Sequence, residues 1–377
     1  MPLHLHPEII TDRRNLALLV GRLEGESLIA FDLEADSLHH YTEKVCLIQI
    51  STSSESVLID PLAFSGLDTL AVIMADAAIR KVFHGADYDI RSLHRDFAVD
   101  VQNLFDTMIA SQFLGEKEFG LAAVLKKRFG VDLDKKYQKA DWSKRPLEKG
   151  MISYAVTDTS LLIDLYLQLE QELRKLGRLS WVEEECAILS RVRVADREKD
   201  PLFLRFKSSS RMDPLTLQVL EGLLNFRDEK ARLRDIPPFK IMQNELIREL
   251  AERKPQTTYD LEQVPGFSPK LADRFGRELV AIISKSCAVP ESRLPRYPRQ
   301  FRPKRTPLQE ENLKLLKQWR EKKAMTLGLD AGILANNALL EMLVDIMPKN
   351  TDDLEKVPAM RNWQRLQFGA EIVALIA

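Results

Sequence analysis

The sequence predicts an α/β domain with a mixed β-sheet, followed by an all-α region. Three observations support this fold class. Strand-like and helix-like segments alternate up to about residue 176, and from about residue 180 apolar residues recur only at helical spacing. Within the helical region the sequence also repeats itself, which indicates two copies of one small domain.

The α/β domain opens with three β-rich segments, at residues 28–34, 45–51 and 56–60. Short polar turns join them, whereas parallel strands need a crossover of roughly a dozen residues, so we expect antiparallel neighbours. Further strands are predicted near residues 81–84 and 101–105, on either side of an amphipathic segment at 88–97. The sheet is therefore expected to be mixed.

The repeat in the helical region keeps a constant offset of 93 residues without a gap. The recurring positions include Phe226 with Trp319, Lys230 with Lys323, Asp260 with Asp353, and Phe275 with Phe368. Chance does not preserve one register over so many positions. We therefore expect a first domain at 1–195 and helical copies at 210–289 and 308–377.

A linker at 290–307 separates the two copies, and its five prolines exclude a continuous helix. Its arginines recur every third residue, which matches the period of extended polyproline-like backbone and predicts one stripe: Arg293, Arg296, Arg299, Arg302 and Arg305. Two interpretations stay open. The segment is either a solvated linker or a phosphate-contacting strip interleaved with Tyr297 and Phe301.

Composition is that of an ordinary soluble protein with several cores. The net charge of -1 excludes any argument from global charge to a nucleic-acid partner. Three scattered cysteines indicate neither a zinc site nor a disulfide framework. No apolar run is long enough to span a bilayer, so we expect a cytoplasmic protein without membrane association. The sequence also indicates no obligatory protein partner.

The first candidate site residues are Asp32 and Glu34, at the end of an apolar strand. Alternate strand residues share a face, so these two carboxylates point the same way. Their mutual repulsion is relieved most directly by a divalent cation. Because an Asp-x-Glu pair after a strand is common, this signal needs further acids to support it.

Two more segments supply those acids. Asp89 lies where a strand enters a helix and can face the crevice beyond the strand ends, whereas Asp87 is placed to cap the helix. Tyr154 and Asp158 are four residues apart in a helical pattern, which puts the phenol and the carboxylate on one face. A simple surface hydrogen bond between the last two is the alternative.

Together, the four acids match the oxygen ligands of two Mg²⁺ or Mn²⁺ ions, which clamp the attacking and leaving oxygens of a phosphoryl displacement. In this interpretation Asp32, Glu34, Asp89 and Asp158 hold the ions. Tyr154 orients, or helps to deprotonate, the attacking water. The sequence therefore predicts a metal-dependent phosphodiesterase.

These motifs resemble the three exonuclease motifs of the DEDD superfamily, in its tyrosine-containing branch. The segments at 104–107 and 141–147 are similar to the ribonuclease D family, and the repeats resemble helicase-and-ribonuclease-D C-terminal (HRDC) domains. The first motif departs from the family pattern, since it reads Asp-Leu-Glu-Ala where many members have Asp-Thr-Glu-Phe. In the second copy Ala359 stands where the first has Gly266.

The resemblance implies an RNase H-like fold and a 3′→5′ exonuclease that releases nucleoside 5′-monophosphates from RNA 3′ ends. The RNA substrates that it implies are tRNA precursors with 3′ extensions and other structured RNAs. It also implies that Asp32, Glu34 and Asp158 hold one metal, and that Asp32 faces a second metal supported by Asp89. Tyr154 positions the water.

Three further positions match substrate-binding positions of the family. His84 and Gly85 match positions near the terminal nucleotide, although His84 can equally be a packed strand-end residue. Arg145 either contacts phosphate or fixes the loop before the last motif. Both alternatives stay open for both side chains.

The remaining alternatives concern the substrate and the helical copies. A DNA exonuclease would use the same metal centre, and a non-catalytic RNA-binding scaffold would keep the fold. The cations of the first copy either contact a phosphate backbone or pair with the nearby Asp228, Glu229 and Asp235. The cations in question are Arg227, Lys230, Arg232 and Arg234.

Overall fold

The computed structural model describes residues 7–195, 200–298 and 304–376. The chain forms two compact units. The first unit combines the N-terminal domain, without residues 36–44, with the second helical copy. The second unit comprises residues 36–44 and the first helical copy.

A six-stranded mixed sheet forms the centre of the first unit, in the order β1-β4-β3-β2-β5-β6. Its strands are β1 (Glu8–Ile10), β2 (Leu28–Ala35), β3 (Val45–Ser51), β4 (Ser56–Ile59), β5 (Arg80–Phe83) and β6 (Leu104–Asp106). The prediction that β2, β3 and β4 are antiparallel neighbours is confirmed. β5 and β6 continue the sheet in parallel from β2, and the unpredicted β1 pairs in parallel with β4.

Eight helices accompany this sheet in the described part of the N-terminal domain. They are α1 (Arg13–Leu23), α2 (Asp68–Ala75), α3 (Asp87–Phe97), α4 (Thr107–Phe113), α5 (Leu121–Phe129), α6 (Lys149–Ser160), α7 (Leu162–Lys175) and α8 (Leu179–Leu189). Helix α6 packs on β2, β3 and β4. Its buried Ala155 and Val156 form a small core with Leu47 and Leu58 of the sheet.

The two helical copies repeat the same order of elements. The first contains α9 (Pro214–Leu233), α10 (Pro238–Ile241), α11 (Asn244–Arg253), α12 (Thr258–Glu262) and α13 (Pro269–Cys287). The second contains α14 (Pro307–Leu327), α15 (Ala331–Leu334), α16 (Asn337–Ile346) and α17 (Asn362–Ile376), with a 3₁₀ turn in place of α12. Helices α9 and α14 begin at positions that differ by the predicted 93 residues.

One arginine ties each copy together internally. Arg227 donates to the carbonyl of Met242 and to the side chain of Asn244, at 3.1 and 2.7 Å. Arg320, the equivalent residue, makes the same pair of bonds at 3.0 and 2.9 Å. Arg227 therefore serves the internal structure of its own domain.

The other cations of the first copy also depart from the predicted pairing. Lys230 forms an ion pair with Glu278 at 2.6 Å, across to α13. Asp228 instead accepts a hydrogen bond from the Tyr41 hydroxyl at 2.8 Å, and Asp235 accepts one from the Tyr41 backbone at 3.1 Å. The predicted pairing of Lys230 with its sequence neighbours is therefore wrong, because its partner lies in another helix.

The arginine stripe is not continuous in the described part of the linker. Residues Glu291–Arg293 form a 3₁₀ turn, so the extended backbone predicted there is wrong at Arg293. Arg305 pairs with two acids of α16, Glu341 at 3.3 Å and Asp345 at 3.5 Å. Tyr297 lies with its ring centroid 6.4 Å from that of Phe203. Arg299, Phe301 and Arg302 lie outside the described residues.

The second copy packs on helix α8 through an aromatic cluster. The rings of Trp363 and Trp181 stack with centroids 4.7 Å apart, and Phe113 meets both of them edge-on. Glu184 of α8 accepts hydrogen bonds from the backbone N–H groups of Asn362 and Trp363, at 2.7 and 2.9 Å. A carboxylate at a helix N-terminus is favourable, so Glu184 fixes the first turn of α17 on the N-terminal domain.

Among the described residues, we find no helix with the length and apolarity needed to cross a bilayer.

Truncation of Trp363 should destabilise the whole first unit. Trp363 is only 3% exposed, and loss of a buried Trp side chain typically costs about 3–5 kcal/mol. We expect Trp363→Ala to lower the unfolding midpoint of the full-length chain in urea. Leu366→Ala is the matched control, because Leu366 lies on the same helix but is 78% exposed. Equal midpoints for the two variants would show that the second copy contributes no stability to the N-terminal domain.

Candidate active site

Strand β2 places the first two acids on one face of the sheet. Phe31 and Leu33 are buried on the opposite face, so Asp32 and Glu34 share the remaining face and are half-buried. The regular pairing of β2 with β3 shifts between Glu34 and Ala35. The two carboxylates therefore sit on rigid backbone immediately before the strand becomes irregular.

Helix α6 brings the third acid to this face. Ligand oxygens of Asp32, Glu34 and Asp158 all lie within 4.8 Å of one another. Asp158 is 7% exposed, and Tyr154 one turn earlier faces its carboxylate. The helical spacing predicted for Tyr154 and Asp158 is thus realised beside the strand pair.

Helix α3 contributes the fourth acid. Asp89 lies in its first turn and is 7% exposed. The charge of Asp89 helps to raise the pKa of Glu34. The charge of Asp32 in turn helps to raise the pKa of Asp89. Asp87, in contrast, is the first residue of the helix and forms an ion pair with Arg91 at 2.7 Å. Asp87 is therefore engaged by Arg91 at the helix surface, and its charge makes only the last-ranked contribution to the raised pKa of Asp89.

The four acids strongly oppose one another's ionisation. Burial raises the pKa of Asp32 to about 7. Burial and then the neighbouring charges raise the pKa of Asp158 to about 8 and that of Glu34 to about 10. Burial first, then Asp32 and Asp106, raises the pKa of Asp89 well above its usual range. Without a cation, this arrangement concentrates negative charge at an energetic cost.

The residues present fit a divalent cation. All the clustered ligand atoms are carboxylate oxygens, which suit hard cations such as Mg²⁺ and Mn²⁺. Within the described residues, no cationic side chain contributes to the pKa shifts of the four acids. Lys135 lines the cavity beside this cluster, but it is not among the causes of these shifts.

Aromatic side chains hold Tyr154 in place. Its ring lies 6.2 Å from that of Tyr137 and 6.0 Å from that of Trp142, which is 1% exposed. Burial and the nearby carboxylates, Asp158 first, raise the pKa of the Tyr154 hydroxyl far above its usual value. The phenol therefore stays protonated and can donate a hydrogen bond, which favours an orienting role over that of a base.

Asp106 stabilises the loop that carries His84 and Gly85. In the sequence this residue stood out only as part of the family-like segment at 104–107. Its carboxylate accepts the backbone N–H groups of Gly85 and Ala86 at 2.9 and 2.8 Å. The same carboxylate caps helix α4 by accepting the N–H of Met108. Gly85 has φ +78, a conformation that disfavours any other residue. The loop is fixed from within the fold.

His84 lies at the same site. Its Nδ1 is 2.9 Å from the Thr107 hydroxyl, which donates to the carbonyl of Phe83. Its Nε2 makes no hydrogen bond of standard geometry within the described residues. Burial lowers the pKa of His84 against the opposing influence of Asp106. The imidazole is therefore neutral, and the residue lines the cavity described below.

The guanidinium of Arg145 is bound within the protein. It forms a bidentate ion pair with Asp60, with Nη2 at 2.7 Å, and donates to the carbonyls of Cys46, Trp142 and Lys144. Of its two predicted roles, this geometry supports fixing of the loop before α6. Asp60 carries no motif of its own, so only the folded structure reveals the pair.

A cavity of about 330 Å³ opens over these groups. Its lining includes Asp32, His84, Tyr154 and Asp158 among the predicted site residues. Leu121 and Leu133 add apolar surface, and the volume lies in the range of small-ligand sites. Glu34, Asp89, Gly85 and Arg145 are not part of this lining.

Comparison with known proteins agrees with this geometry. Residues 7–174 match a family model described as 3′-5′ exonuclease, and residues 216–283 and 309–376 each match the HRDC domain. Ribonuclease D of Zymomonas mobilis is 30% identical, over 99% of this chain and 95% of that protein.

Two solved structures are also similar. The catalytic core of RRP6 from Trypanosoma brucei is 32% identical, with a TM-score of 0.65 over 76% of this chain and 81% of that chain. Escherichia coli RNase D, an exoribonuclease involved in structured RNA processing, has a TM-score of 0.72 over 98% of both chains. At 24% identity the latter likeness shows the fold alone.

Removal of the Asp158 charge should have opposite effects on stability without metal and on stabilisation by bound metal. We expect metal-free Asp158→Asn to melt at a higher temperature than metal-free wild type, because repulsion is reduced. Added Mn²⁺ should stabilise wild type, by about 2.7 kcal/mol at a hundredfold excess over the dissociation constant, and the variant much less. Differential scanning fluorimetry in a Mn²⁺ titration measures both effects. Asp87→Asn is the control and should resemble wild type, and equal Mn²⁺ shifts in all three proteins would exclude this metal site.

Proposed function

The chain belongs to the ribonuclease D family of 3′→5′ exoribonucleases, and from this premise we propose that it shortens RNA from the 3′ end in a divalent-metal-dependent reaction. The products are nucleoside 5′-monophosphates. The observation that carries the proposal is the meeting of the Asp32, Glu34 and Asp158 oxygens within 4.8 Å, beside the protonated phenol of Tyr154. Such a donor set binds hard divalent cations in preference to any other group.

Each acid has a proposed role. Asp32, Glu34 and Asp158 would hold one ion, and Asp32 would also face a second ion supported by Asp89. Bound Mg²⁺ or Mn²⁺ would supply an activated water and charge stabilisation at the scissile phosphate. The chain's own contribution is the rigid placement of these oxygens by β2, α3 and α6.

The remaining site residues act on the substrate. Tyr154 would donate a hydrogen bond and so orient the attacking water, a role that its raised pKa favours over that of a base. His84 would place its neutral ring beside the terminal nucleotide, in the cavity that it lines. Gly85 would allow close approach of the backbone to that nucleotide, because no side chain intervenes. Arg145 would shape this pocket indirectly, through its ion pair with Asp60.

The proposed substrates are tRNA precursors with 3′ extensions and other structured RNAs. Support comes from the likeness to ribonuclease D, and E. coli RNase D is itself described as acting in structured RNA processing. We propose that the reaction takes place in the cytoplasm.

Product analysis tests the reaction class. A 5′-labelled RNA with a 3′ extension should be shortened one nucleotide at a time with Mg²⁺ or Mn²⁺, and should stay intact with EDTA. Asp32→Asn should slow release by about 10²- to 10³-fold or more, because electrostatic stabilisation at the phosphate is lost. Asp87→Asn should retain wild-type rates. Near-normal release by Asp32→Asn would contradict the proposed mechanism, and faster degradation of a matched DNA would reassign the substrate.

Replacement of Tyr154 tests the orienting role. Tyr154→Phe keeps the ring that packs on Tyr137 and Trp142 but removes the hydroxyl. We expect kcat to fall by about 10²-fold, with metal-induced stabilisation preserved. Single-turnover kinetics and a Mn²⁺ melting titration measure the two quantities. An unchanged kcat would remove Tyr154 from the reaction.

A further inference from the structure

Gln49 has a buried amide without a hydrogen-bond partner. The residue lies in the middle of β3 and is 0% exposed. Neither its Oε1 nor its Nε2 is hydrogen-bonded within the described residues. A buried amide left unsatisfied destabilises the folded state, so its presence at this position requires an explanation.

The strand register places Gln49 directly beside a metal-binding candidate. Gln49 is the antiparallel partner of Asp32 on β2, and Leu58 of β4 is its neighbour on the other side. Directly opposite residues share a face, with Cβ atoms about 4.5–5.5 Å apart. The Gln49 side chain therefore lies behind Asp32, on the sheet face that α6 covers.

Packing alone does not explain an amide at this position. The neighbours on the same face, Leu47 and Leu58, are buried and apolar, so an apolar side chain would fit the chemistry of the surroundings. The next polar residue along β3 on this face is Ser51, which bonds to Ser56 and to Thr159 of α6, at 2.8 and 2.7 Å. The next polar side chain of the strand is thus satisfied, whereas the amide beside Asp32 is not.

We propose that Gln49 is a positioning residue for Asp32: when the cation is bound, its amide N–H donates to the Asp32 carboxylate, directly or across one water, and fixes the orientation in which that carboxylate holds the cation. The inference rests on the proposed function. A hydrogen bond to a charged carboxylate is roughly twice as strong as a neutral one, which offsets the cost of burying the amide. Partners of metal-binding side chains commonly tune affinity in this way.

Gln49→Met tests the proposal, because methionine retains most of the shape and removes the amide. We expect an equal or higher melting temperature without metal, since an unsatisfied polar group is lost. The affinity for Mn²⁺, measured by calorimetry on the full-length chain, should fall by about 10- to 100-fold. In RNA hydrolysis kcat should fall, with KM for RNA little changed.

Two further variants make the result decisive. Ser51→Ala is the control, since it removes hydrogen bonds from the same strand and face and should lower the melting temperature without changing Mn²⁺ affinity. Gln49→Asn keeps a shorter amide and should bind Mn²⁺ more tightly than Gln49→Met. If wild type hydrolyses RNA but wild type, Gln49→Asn and Gln49→Met bind Mn²⁺ with equal affinity, the proposal for Gln49 is overturned and the proposed function stands. A wild-type protein that releases no nucleotides would instead refute the proposed function itself.

Discussion

Confinement of four carboxylates within one small volume is the constraint on which the rest of the structure depends. The pKa values of Asp32, Glu34, Asp89 and Asp158 are all raised, first by burial and, for the last three, also by the neighbouring carboxylates, which means that the fold holds these acids in place at an energetic cost. Such an arrangement persists only if each acid sits on backbone that cannot relax. Strand β2 and helices α3 and α6 provide that backbone, each buried against the central sheet.

Local rules were sufficient to predict much of this site. Strand alternation places Asp32 with Glu34, and helical spacing places Tyr154 with Asp158, because both geometries depend only on residues close in sequence. The sequence could not predict that Gln49 is the partner of Asp32, since this depends on register between strands. It likewise could not predict the pair of Arg145 with Asp60, whose members are 85 residues apart.

The helical copies likewise combine features that the sequence predicts with contacts that it does not. Their common internal frame follows the constant offset, as the matching bonds of Arg227 and Arg320 demonstrate. Their surfaces have diverged, because Trp363 occupies the position equivalent to Lys270 and stacks on Trp181. An aromatic residue at a position that is polar in the other copy was a signal of docking available in the sequence. Its partner on α8 was not, since no local pattern marks Trp181 as a contact.

Contacts run continuously from the second copy to the acidic cluster. Trp181 and Cys186 lie on the same helix, α8, and the Cys186 Sγ accepts the backbone N–H of Asp106 at 3.2 Å. Asp106 in turn holds the N–H groups of Gly85 and Ala86, directly before the helix that carries Asp89. Because a misplacement of about 1 Å can cost a site much of its activity, the packing of Trp363 on α8 bears on the placement of Asp89. The second copy thus packs, through α8, on the framework that places the four acids, so a loss of activity on its removal would be no measure of RNA binding alone.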